Sequence, residues 1–249
     1  MSDTVTIVPA SCQSAAQTAY YRALIRSHKS SCDSDLLFIF NNLHEKAHRD
    51  LAEQFTKELS DLNYKWLYYG EEYNLTKIWN YGKRKTESEY IVFCIADTMF
   101  LGDWLTPLKL LVDTRKYHCA QGVSRQDYSG VWSYYDKGVD LYETTQPIGY
   151  HYVMRRDNGF WFDEEVGIYC PDQYYWEYLR ETNQLAAVHR HSHVEHLSAP
   201  ISFLNTHHSS TWEGRAEREL KIVEAHRAEN WKTKREQWLK ELKENDKTK

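Results

Sequence analysis

Short apolar runs alternate with amphipathic segments over about the first hundred residues, and this alternation constrains the fold more than any other feature. The runs "TVTIVPA", "DLLFIFNN", "NYKWLYYG" and "YIVFCI" are typical of strands, and the third closes at Gly70. The segments between them, "SAAQTAYYRALIRSH", "EKAHRDLAEQFTKEL" and "YNLTKIWNYGKRKT", have helical spacing. The order predicts right-handed βαβ units and a mainly parallel sheet covered by helices.

The pattern changes after Leu111. "KYHCAQGV", "GYHYVMRR" and "LAAVHRHSHVEHL" predict strands, and "PDQYYWEYLRETN" predicts a helix with proline in its first turn. Ser124 to Pro147 has no persistent period, so we expect irregular structure or a short hairpin over a cleft. From Thr211 to Leu242 a 3.6-residue repeat predicts a long amphipathic helix that packs back on the core, with binding to a partner as the alternative. Its apolar side would carry Leu220, Val223, Trp231, Trp238 and Leu242.

Composition excludes several classes of protein. No apolar run approaches the roughly 20 residues of a membrane-spanning helix, and "MSDTVTIVPASCQ" does not read as a signal peptide. We therefore expect a cytoplasmic protein, in the host cytoplasm if it is viral. The sequence has no G-x-G-x-x-G, Walker A or G-x-S-x-G pattern, so dinucleotide oxidoreductases, ATPases and elbow-type hydrolases lack their motifs.

Charge and residue counts are less decisive. A formal charge of -5 gives no overall attraction to polyanions, although Lys83-Arg84-Lys85 and Arg155-Arg156 are local basic clusters. The 5 cysteines form no C-x-x-C pair, which indicates reduced thiols. The 19 tyrosines and 9 tryptophans suit a cleft that stacks rings, and they equally suit ordinary aromatic packing.

Polar residues follow the predicted strands where a ligand is expected. In parallel sheets ligands bind at the carboxyl ends of strands, and Pro9-Ala10-Ser11, Asn41-Asn42 and Asp97 all lie there. Asp97 is thus predicted to face a cleft. The alternative is that Asp97 only caps the helix predicted to follow it.

The segment from Asn74 to Leu111 resembles family-2-like glycosyltransferases of the GT-A type. It has an "N-x-G" in Asn80-Tyr81-Gly82, a hydrophobic strand, Asp97 and a further helix, in the family's order. "TVTIVPASCQS" and "LLFIFNNLHEKAHRDLAEQF" are similar to the family's first two strands. "GYHYVMRRDNGFWFDEEVGIYCPDQYYWEYLRETNQLAAVHRHSHVEHL" looks like its acceptor half, and the likeness covers most of residues 4–204.

The resemblance implies an α/β fold of the GT-A type. We expect one Rossmann-like, mainly parallel mixed sheet flanked by helices, with a nucleotide-sugar-binding half over 1–114 and an acceptor-binding half over 115–205. Residues 206–249 would form a C-terminal helical extension.

By resemblance, Asp97 matches the last acid of the family's Asp-x-Asp motif, and His196 matches the histidine of its "V-x-H". Both are expected to bind Mn²⁺ or Mg²⁺ and the donor diphosphate. Ile95 and Ala96 stand where the first acid would lie, which leaves one carboxylate in place of two. His189, His191 and His193 share a strand face and also suit zinc, although no cysteine pair accompanies them.

The resemblance also assigns donor and acceptor residues. Asp172 matches the family's catalytic base, with capping of its own helix as the alternative. Gly149, Asp163 and Glu164 match the acceptor site. The expected donor-binding residues are Pro9, Ala10, Ser11, Asn42, Asn74, Lys77, Asn80 and Asp97; a lysine such as Lys77 also suits a solvated helix face.

The resemblance thus predicts an inverting glycosyltransferase that uses a nucleotide-diphosphate sugar. Its hydroxyl acceptor would be a glycan, a lipid-linked saccharide, or a hydroxymethylated DNA base as in bacterial viruses. For DNA, aromatics in Tyr128–Tyr142 would stack a base, and Arg125, Lys137, Arg155 and Arg156 would contact phosphates. The alternative is a non-catalytic protein with the same fold that binds nucleotide sugars or nucleic acid.

Overall fold

The computed structural model describes residues 2–12, 15–41, 43, 45–58, 65–68, 74–124, 139–148, 151–167, 171–196, 217–225 and 240. The strands are β1 Thr4–Ala10, β2 Asp35–Phe40, β3 Lys65–Tyr68, β4 Tyr90–Cys94, β5 Thr98–Leu101, β6 Tyr117–Val123, β7 Leu141–Thr144, β8 His151–Arg155 and β9 Leu185–His196. The helices are α1 Ala15–Ser31, α2 Lys46–Glu58, α3 Leu75–Lys85, α4 Leu105–Asp113 and α5 Pro171–Glu181, together with helical residues 217–225, called α6.

All the strands belong to one mixed sheet in the order β3-β2-β1-β4-β8-β6-β9-β5, and β7 pairs with β9. The first half is parallel: β1 pairs with β2 and β4, and β2 pairs with β3. β8 then runs antiparallel to β4 and β6. The predicted βαβ alternation is confirmed, because α1, α2 and α3 each connect two parallel strands.

Alternate residues of the buried strands face two cores. Val8 and Phe38 point to one face of the sheet, where Tyr21 of α1, Phe55 of α2 and Leu108 of α4 cover them. The other face packs against α3 and α5, and its largest members are Trp79, Phe93, Tyr152, Phe162 and Tyr175. Since both faces are covered, strands such as "DLLFIF" are apolar throughout.

Gly82, the glycine of the "N-x-G" motif, lets α3 approach the sheet closely. A Cβ atom at this position would lie 2.6 Å from Ile7 Cγ2 and 3.0 Å from Ile39 Cδ1. Helix α3 is therefore seated directly on β1 and β2, which fixes the height of its side chains above the sheet.

Two short strands differ from the sequence-based expectation. β5 lies between Asp97 and α4, in a short stretch for which no strand was predicted, whereas α4 begins at Leu105, within the Asp103-Trp104-Leu105 segment after which a helix was expected. β7 is a strand paired with β9 inside the stretch expected to be irregular or a hairpin; residues 125–138 of that stretch lie outside the described residues.

The C-terminal helix prediction is tested only over 217–225. Val223 is buried against the α3–α5 face, which confirms packing on the core for this part of the helix. Leu220, expected on the same apolar side, is instead 43% exposed, so the predicted side was wrong at that position. Trp231, Trp238 and Leu242 lie outside the described residues.

Several of the described large aromatic residues pack in the core, and the described cysteines are reduced thiols, as the simpler of the predictions expected. Trp79, Trp104, Tyr152 and Tyr175 are fully buried core residues. The cysteines that the structure describes, Cys12, Cys32, Cys94 and Cys119, are free thiols. None of the helices in the described ranges combines the length and apolar character that a membrane crossing requires.

Candidate active site

The end of β1 is held firmly by α1. Pro9 and Ala10 are buried in the strand, and Ser11 follows it at 7% exposure. The Tyr21 hydroxyl donates to Ser11 O (2.6 Å) and accepts from Ser11 N–H (2.9 Å). A single phenol thus satisfies both backbone groups of Ser11, and the loop predicted to meet the donor has a fixed backbone.

The end of β2 carries a buried amide with no hydrogen-bond partner. Asn41 N–H donates to Ala10 O (2.9 Å), which places this residue beside the end of β1. Within the described part of the chain, neither Oδ1 nor Nδ2 of Asn41 has a partner, and the residue is 0% exposed. The prediction named the neighbouring Asn42, which lies outside the described residues. Sequence reasoning placed both Asn41 and Asn42 at this strand end, but it named only Asn42 as a donor-binding residue.

Asp97 lies half-buried in the turn between β4 and β5. Antiparallel pairing of β5 with β9 sets Thr98 opposite His196. The backbones of the two predicted metal-binding residues, Asp97 and His196, are therefore brought to adjacent positions of the sheet; the His196 side chain is outside the description.

The capping alternative for Asp97 is wrong. Helix α4 begins at Leu105, on the far side of β5, and there the Asp103 carboxylate accepts Thr106 N–H (3.2 Å). Asp97 is thus separated by β5 from the N-terminus of α4, the helix that it was expected to cap.

The histidines of β9 have separate partners. His189 Nδ1 lies 2.9 Å from Ser192 Oγ, and His191 Nε2 lies 2.8 Å from Asp140 Oδ1. Burial, and then His191, lower the pKa of His189. No group of three or more potential metal ligands occurs among the residues that the structure describes. The zinc alternative gains no support from these positions.

Asn74 and Asn80 of the α3 region join the two halves of the molecule. Asn80 Nδ2 donates to Phe162 O (2.8 Å), and Asn80 Oδ1 accepts Phe162 N–H (3.1 Å). Asn74 caps α3 by accepting Lys77 N–H (2.9 Å), and its Nδ2 donates to Glu164 O (2.9 Å). Both amides hold the segment 160–167 against α3, so a contact of these amides with the donor stays a prediction, as it does for the half-buried Lys77.

The predicted acceptor-site residues lie on that held segment. Glu164 Oε1 accepts from Arg84 Nη1 (3.3 Å) and Asn80 Nδ2 (3.2 Å). The Asp163 carboxylate accepts Glu165 N–H (2.8 Å), which shapes the turn. Their role at the acceptor site remains untested. Gly149 lies outside the described residues.

Asp172 lies half-buried in the first turn of α5. Its Oδ1 accepts a hydrogen bond from the Tyr152 hydroxyl at 2.8 Å. A helix N-terminus and a phenol donor both favour the ionised form of a carboxylate. The position in the first turn and the Tyr152 hydroxyl therefore both stabilise the charged form of the Asp172 carboxylate.

Asp97 and Asp172 lie at the same edge of the sheet. Pairing of β4 with β8 sets Cys94 opposite His151 and Phe93 opposite Tyr152, so the carboxyl end of β4 meets the amino end of β8. Asp97 follows that end of β4, and Asp172 is bonded to Tyr152 on β8. This is also the edge at which β1 and β2 end, with Ser11 and Asn41.

A surface pocket of about 470 Å³ lies at the opposite edge, where the basic clusters at the ends of α3 and β8 meet near Trp161. Arg84 is paired with Glu164 there, and Arg155 is paired with Glu89. Two of its cations are thus paired with acids, and it lies at the end of the strands opposite to Asp97 and Asp172. We therefore place the candidate site at the carboxyl edge.

The chain has the GT-A fold, which it shares with the solved structures on which it superposes. The mannosyltransferase PcManGT from Pyrobaculum calidifontis, solved with GDP-Man and Mn²⁺, superposes with a TM-score of 0.63 at 13% identity, over 91% of this chain and 64% of its own. GalNAc-T7, solved with UDP, GalNAc and Mn²⁺, gives 0.62 at 10% identity, over 78% and 43%. S. aureus TarS 1-349 gives 0.58 at 14% identity, over 78% and 59%.

At these identities the likeness is one of fold. The chain spans 43% to 64% of the length of these three structures. No protein-family model and no curated protein matches the sequence.

Proposed function

We propose that the protein transfers a sugar, with inversion, from a nucleotide-diphosphate sugar to a hydroxyl acceptor. The observation that carries this is the convergence of Asp97, the end of β9 and Asp172 on one edge of a GT-A sheet, through the registers of β5 with β9 and of β4 with β8. Fold likeness alone does not give an activity. The chemical argument is that such a transfer needs a carboxylate near the diphosphate and a carboxylate near the acceptor hydroxyl, and Asp97 and Asp172 would supply them.

The donor would lie across the ends of β1, β2 and β4. The Asn41 amide, which has no partner among the described residues, offers an NH₂ donor group and a carbonyl acceptor to a base or ribose, and the fixed Ser11 loop borders it. Solved relatives hold UDP or GDP-Man together with Mn²⁺.

Asp97 and His196 would hold a divalent cation. One carboxylate and one imidazole suit Mn²⁺ when diphosphate oxygens complete the coordination, and their backbones are adjacent. A bound cation would supply neutralisation of the charge that grows on the diphosphate.

Asp172 would act as the general base. It takes the proton of the acceptor hydroxyl while that oxygen forms a bond to the anomeric carbon. The bond from the anomeric carbon to the diphosphate breaks, and its electron pair leaves with the nucleoside diphosphate.

The test is a panel of nucleotide sugars with Mn²⁺, read out as nucleoside diphosphate release and as donor affinity. Asp172→Asn should lower turnover by about 10²–10⁴-fold and leave donor affinity unchanged. Asp157→Asn is the matched control, because this exposed carboxylate pairs with Arg115 at the opposite edge. A folded protein that binds no donor, or an Asp172→Asn variant as active as Asp157→Asn, contradicts the proposal.

A non-catalytic binding protein is the second candidate. Ile95 and Ala96, where a first metal-binding acid is expected, pack partly buried against the core instead. Such a protein would bind donor with equal affinity before and after Asp172→Asn and show no turnover in either form.

DNA remains one candidate acceptor. Arg155, named as a phosphate contact, is occupied by Glu89, Asp113 and Asp157, whereas Arg156 is exposed; Arg125 and Lys137 lie outside the described residues. A DNA acceptor predicts binding that weakens steeply with salt. Absence of binding at low salt would remove it.

A further inference from the structure

The contact between Tyr152 and Asp172 joins the core of the molecule to the proposed base. Tyr152 is 0% exposed, and its hydroxyl donates to Asp172 Oδ1 at 2.8 Å. The direction of this bond is set by chemistry, because an ionised carboxylate can only accept. The first turn of α5 does not require a hydrogen bond from Tyr152 to form, so this bond has another effect, namely on the Asp172 carboxylate.

The Tyr152 ring has no freedom to follow Asp172 if the carboxylate moves. It lies on the central strand β8, opposite Phe93 of β4. Trp79 meets it edge-on at 6.2 Å between ring centroids, and Tyr175 does so at 5.1 Å. The hydroxyl position is thus determined by the sheet and the aromatic core, and the carboxylate is oriented by it.

We propose that Tyr152 is a positioning residue, which holds the Asp172 carboxylate in its reactive orientation and keeps it ionised. This inference rests on the function proposed above. The hydrogen bond stabilises the charged form of Asp172, so the pKa of Asp172 is lower with the hydroxyl than without it. Asp172 then remains deprotonated, and able to accept a proton, to a lower pH.

The ionisable groups on the surrounding elements have other partners. Tyr175 of α5 and His118 of β6 bond to each other at 2.6 Å, Glu164 pairs with Arg84, and Asp163 caps the turn after it. His151, next to Tyr152 on β8, points to the other face of the sheet and accepts Gly122 N–H at 2.7 Å. Among the described residues, Tyr152 is a group that bonds to Asp172, so removal of its hydroxyl should act on this carboxylate directly.

The experiment is a carboxyl ¹³C NMR titration of protein labelled at aspartate, with the Asp172 resonance assigned by its loss in Asp172→Asn. Tyr152→Phe removes the donor and should raise the pKa of Asp172 by about one unit. Tyr175→Phe is the matched control: it removes the hydroxyl of an equally buried neighbouring tyrosine that bonds to His118. A rise in Tyr152→Phe alone supports the proposal, whereas no rise, or an equal rise in both variants, overturns it.

Activity provides the second readout. In Tyr152→Phe the acid limb of kcat/KM should move to higher pH by the same amount, so that turnover below both limbs falls about tenfold, with donor affinity unchanged. An NMR shift without a shift of the acid limb contradicts the positioning role. If the wild-type protein turns over no donor, the proposed function fails, while the titration still decides whether Tyr152 controls Asp172.

A second variant covers the case in which Tyr152→Phe does not fold. Replacing Tyr152 by 3-fluorotyrosine keeps the ring and makes the hydroxyl a stronger donor, so the pKa of Asp172 should fall. An unchanged pKa in that protein would count against the proposal.

Discussion

Asn41 is a buried residue whose side-chain amide has no hydrogen-bond partner among the described residues. A buried amide without hydrogen bonds costs about 1–3 kcal/mol, so folded proteins seldom keep one unless a ligand or water completes it. Asn80 is the contrasting case: it is equally buried, but both of its amide atoms are bonded. The Asn41 amide is thus available to a ligand, whereas the Asn80 amide stabilises the fold.

Replacing Asn41 by leucine should therefore stabilise the protein and impair it. The change removes an unsatisfied amide at similar shape, and we expect the free energy of unfolding to rise by about 1 kcal/mol. Affinity for nucleoside diphosphates should fall at least about tenfold, the effect of losing one or two hydrogen bonds. Denaturant unfolding and calorimetric titration with UDP and GDP measure the two effects.

Asn80→Leu is the control for that experiment. Loss of its bonds to Phe162 should lower the free energy of unfolding by about 1–3 kcal/mol. If both variants destabilise equally and nucleotide affinity is unchanged in Asn41→Leu, the ligand role of Asn41 is wrong.

Sequence reasoning marked Asp97 by a strand end and Asp172 by its match to a family motif. The structure places both residues at the same end of the central strands, and their roles stay predictions. The bonds of Asn80 to Phe162 were beyond reach, because they join positions far apart in the chain and no periodicity reports such pairings. The same holds for Tyr152, which reads in sequence as one more aromatic residue of a strand.

At the level of elements, the long periodic segments were predictable and the short edge strands were not. β5 and β7 span four residues each, too few for a period to be visible, and both pair with β9. These two strands form because they pair with β9, and not because of the intrinsic preference of their residues. The unpredicted strand β5 connects the turn of Asp97 to the end of β9.

The pairing of β6 with β9 depends on a glycine. The register shifts between Gln121 and Val123, and a Cβ atom at Gly122 would lie 2.1 Å from the backbone oxygen of Ser192. This close approach also lets Gly122 N–H donate to His151. A side chain at this position would push two central strands apart.

Gly122→Ala should accordingly destabilise the fold by about 3 kcal/mol or more, because the clash is with backbone and no rotamer relieves it. Thermal or denaturant unfolding measures this. Ala120→Gly, the opposite change on the same strand, should cost only about 1–2 kcal/mol. Equal effects of the two variants would show that β6 and β9 can separate without strain.

At the scale of the whole molecule, Arg155 connects several elements at the end of the strands opposite the candidate site. Its guanidinium contacts Glu89 before β4, Asp113 at the end of α4 and Asp157 after β8. The Arg155 side chain is only 17% exposed, so water screens these pairs less than those of a surface arginine. They connect residues of the predicted halves 1–114 and 115–205.

Arg155→Met should lower the free energy of unfolding by about 1–2 kcal/mol, and the loss should shrink in high salt, where the pairs of the wild-type protein are weakened. The neighbouring Arg156→Met should change it by less than about 0.5 kcal/mol, as expected for an exposed arginine. Unfolding curves at low and high salt decide the matter; a salt-independent difference would point to lost packing instead of lost charge.

The pairing of Thr98 with His196 has a consequence for synthesis of the protein on the ribosome. The turn that carries Asp97 is made early, but the strand that receives β5 is completed only about a hundred residues later. A nascent chain that has emerged as far as α4 lacks the neighbour that orders this turn. The proposed site would therefore be complete only late in translation, when β9 docks, and not when the donor-side residues first leave the exit tunnel.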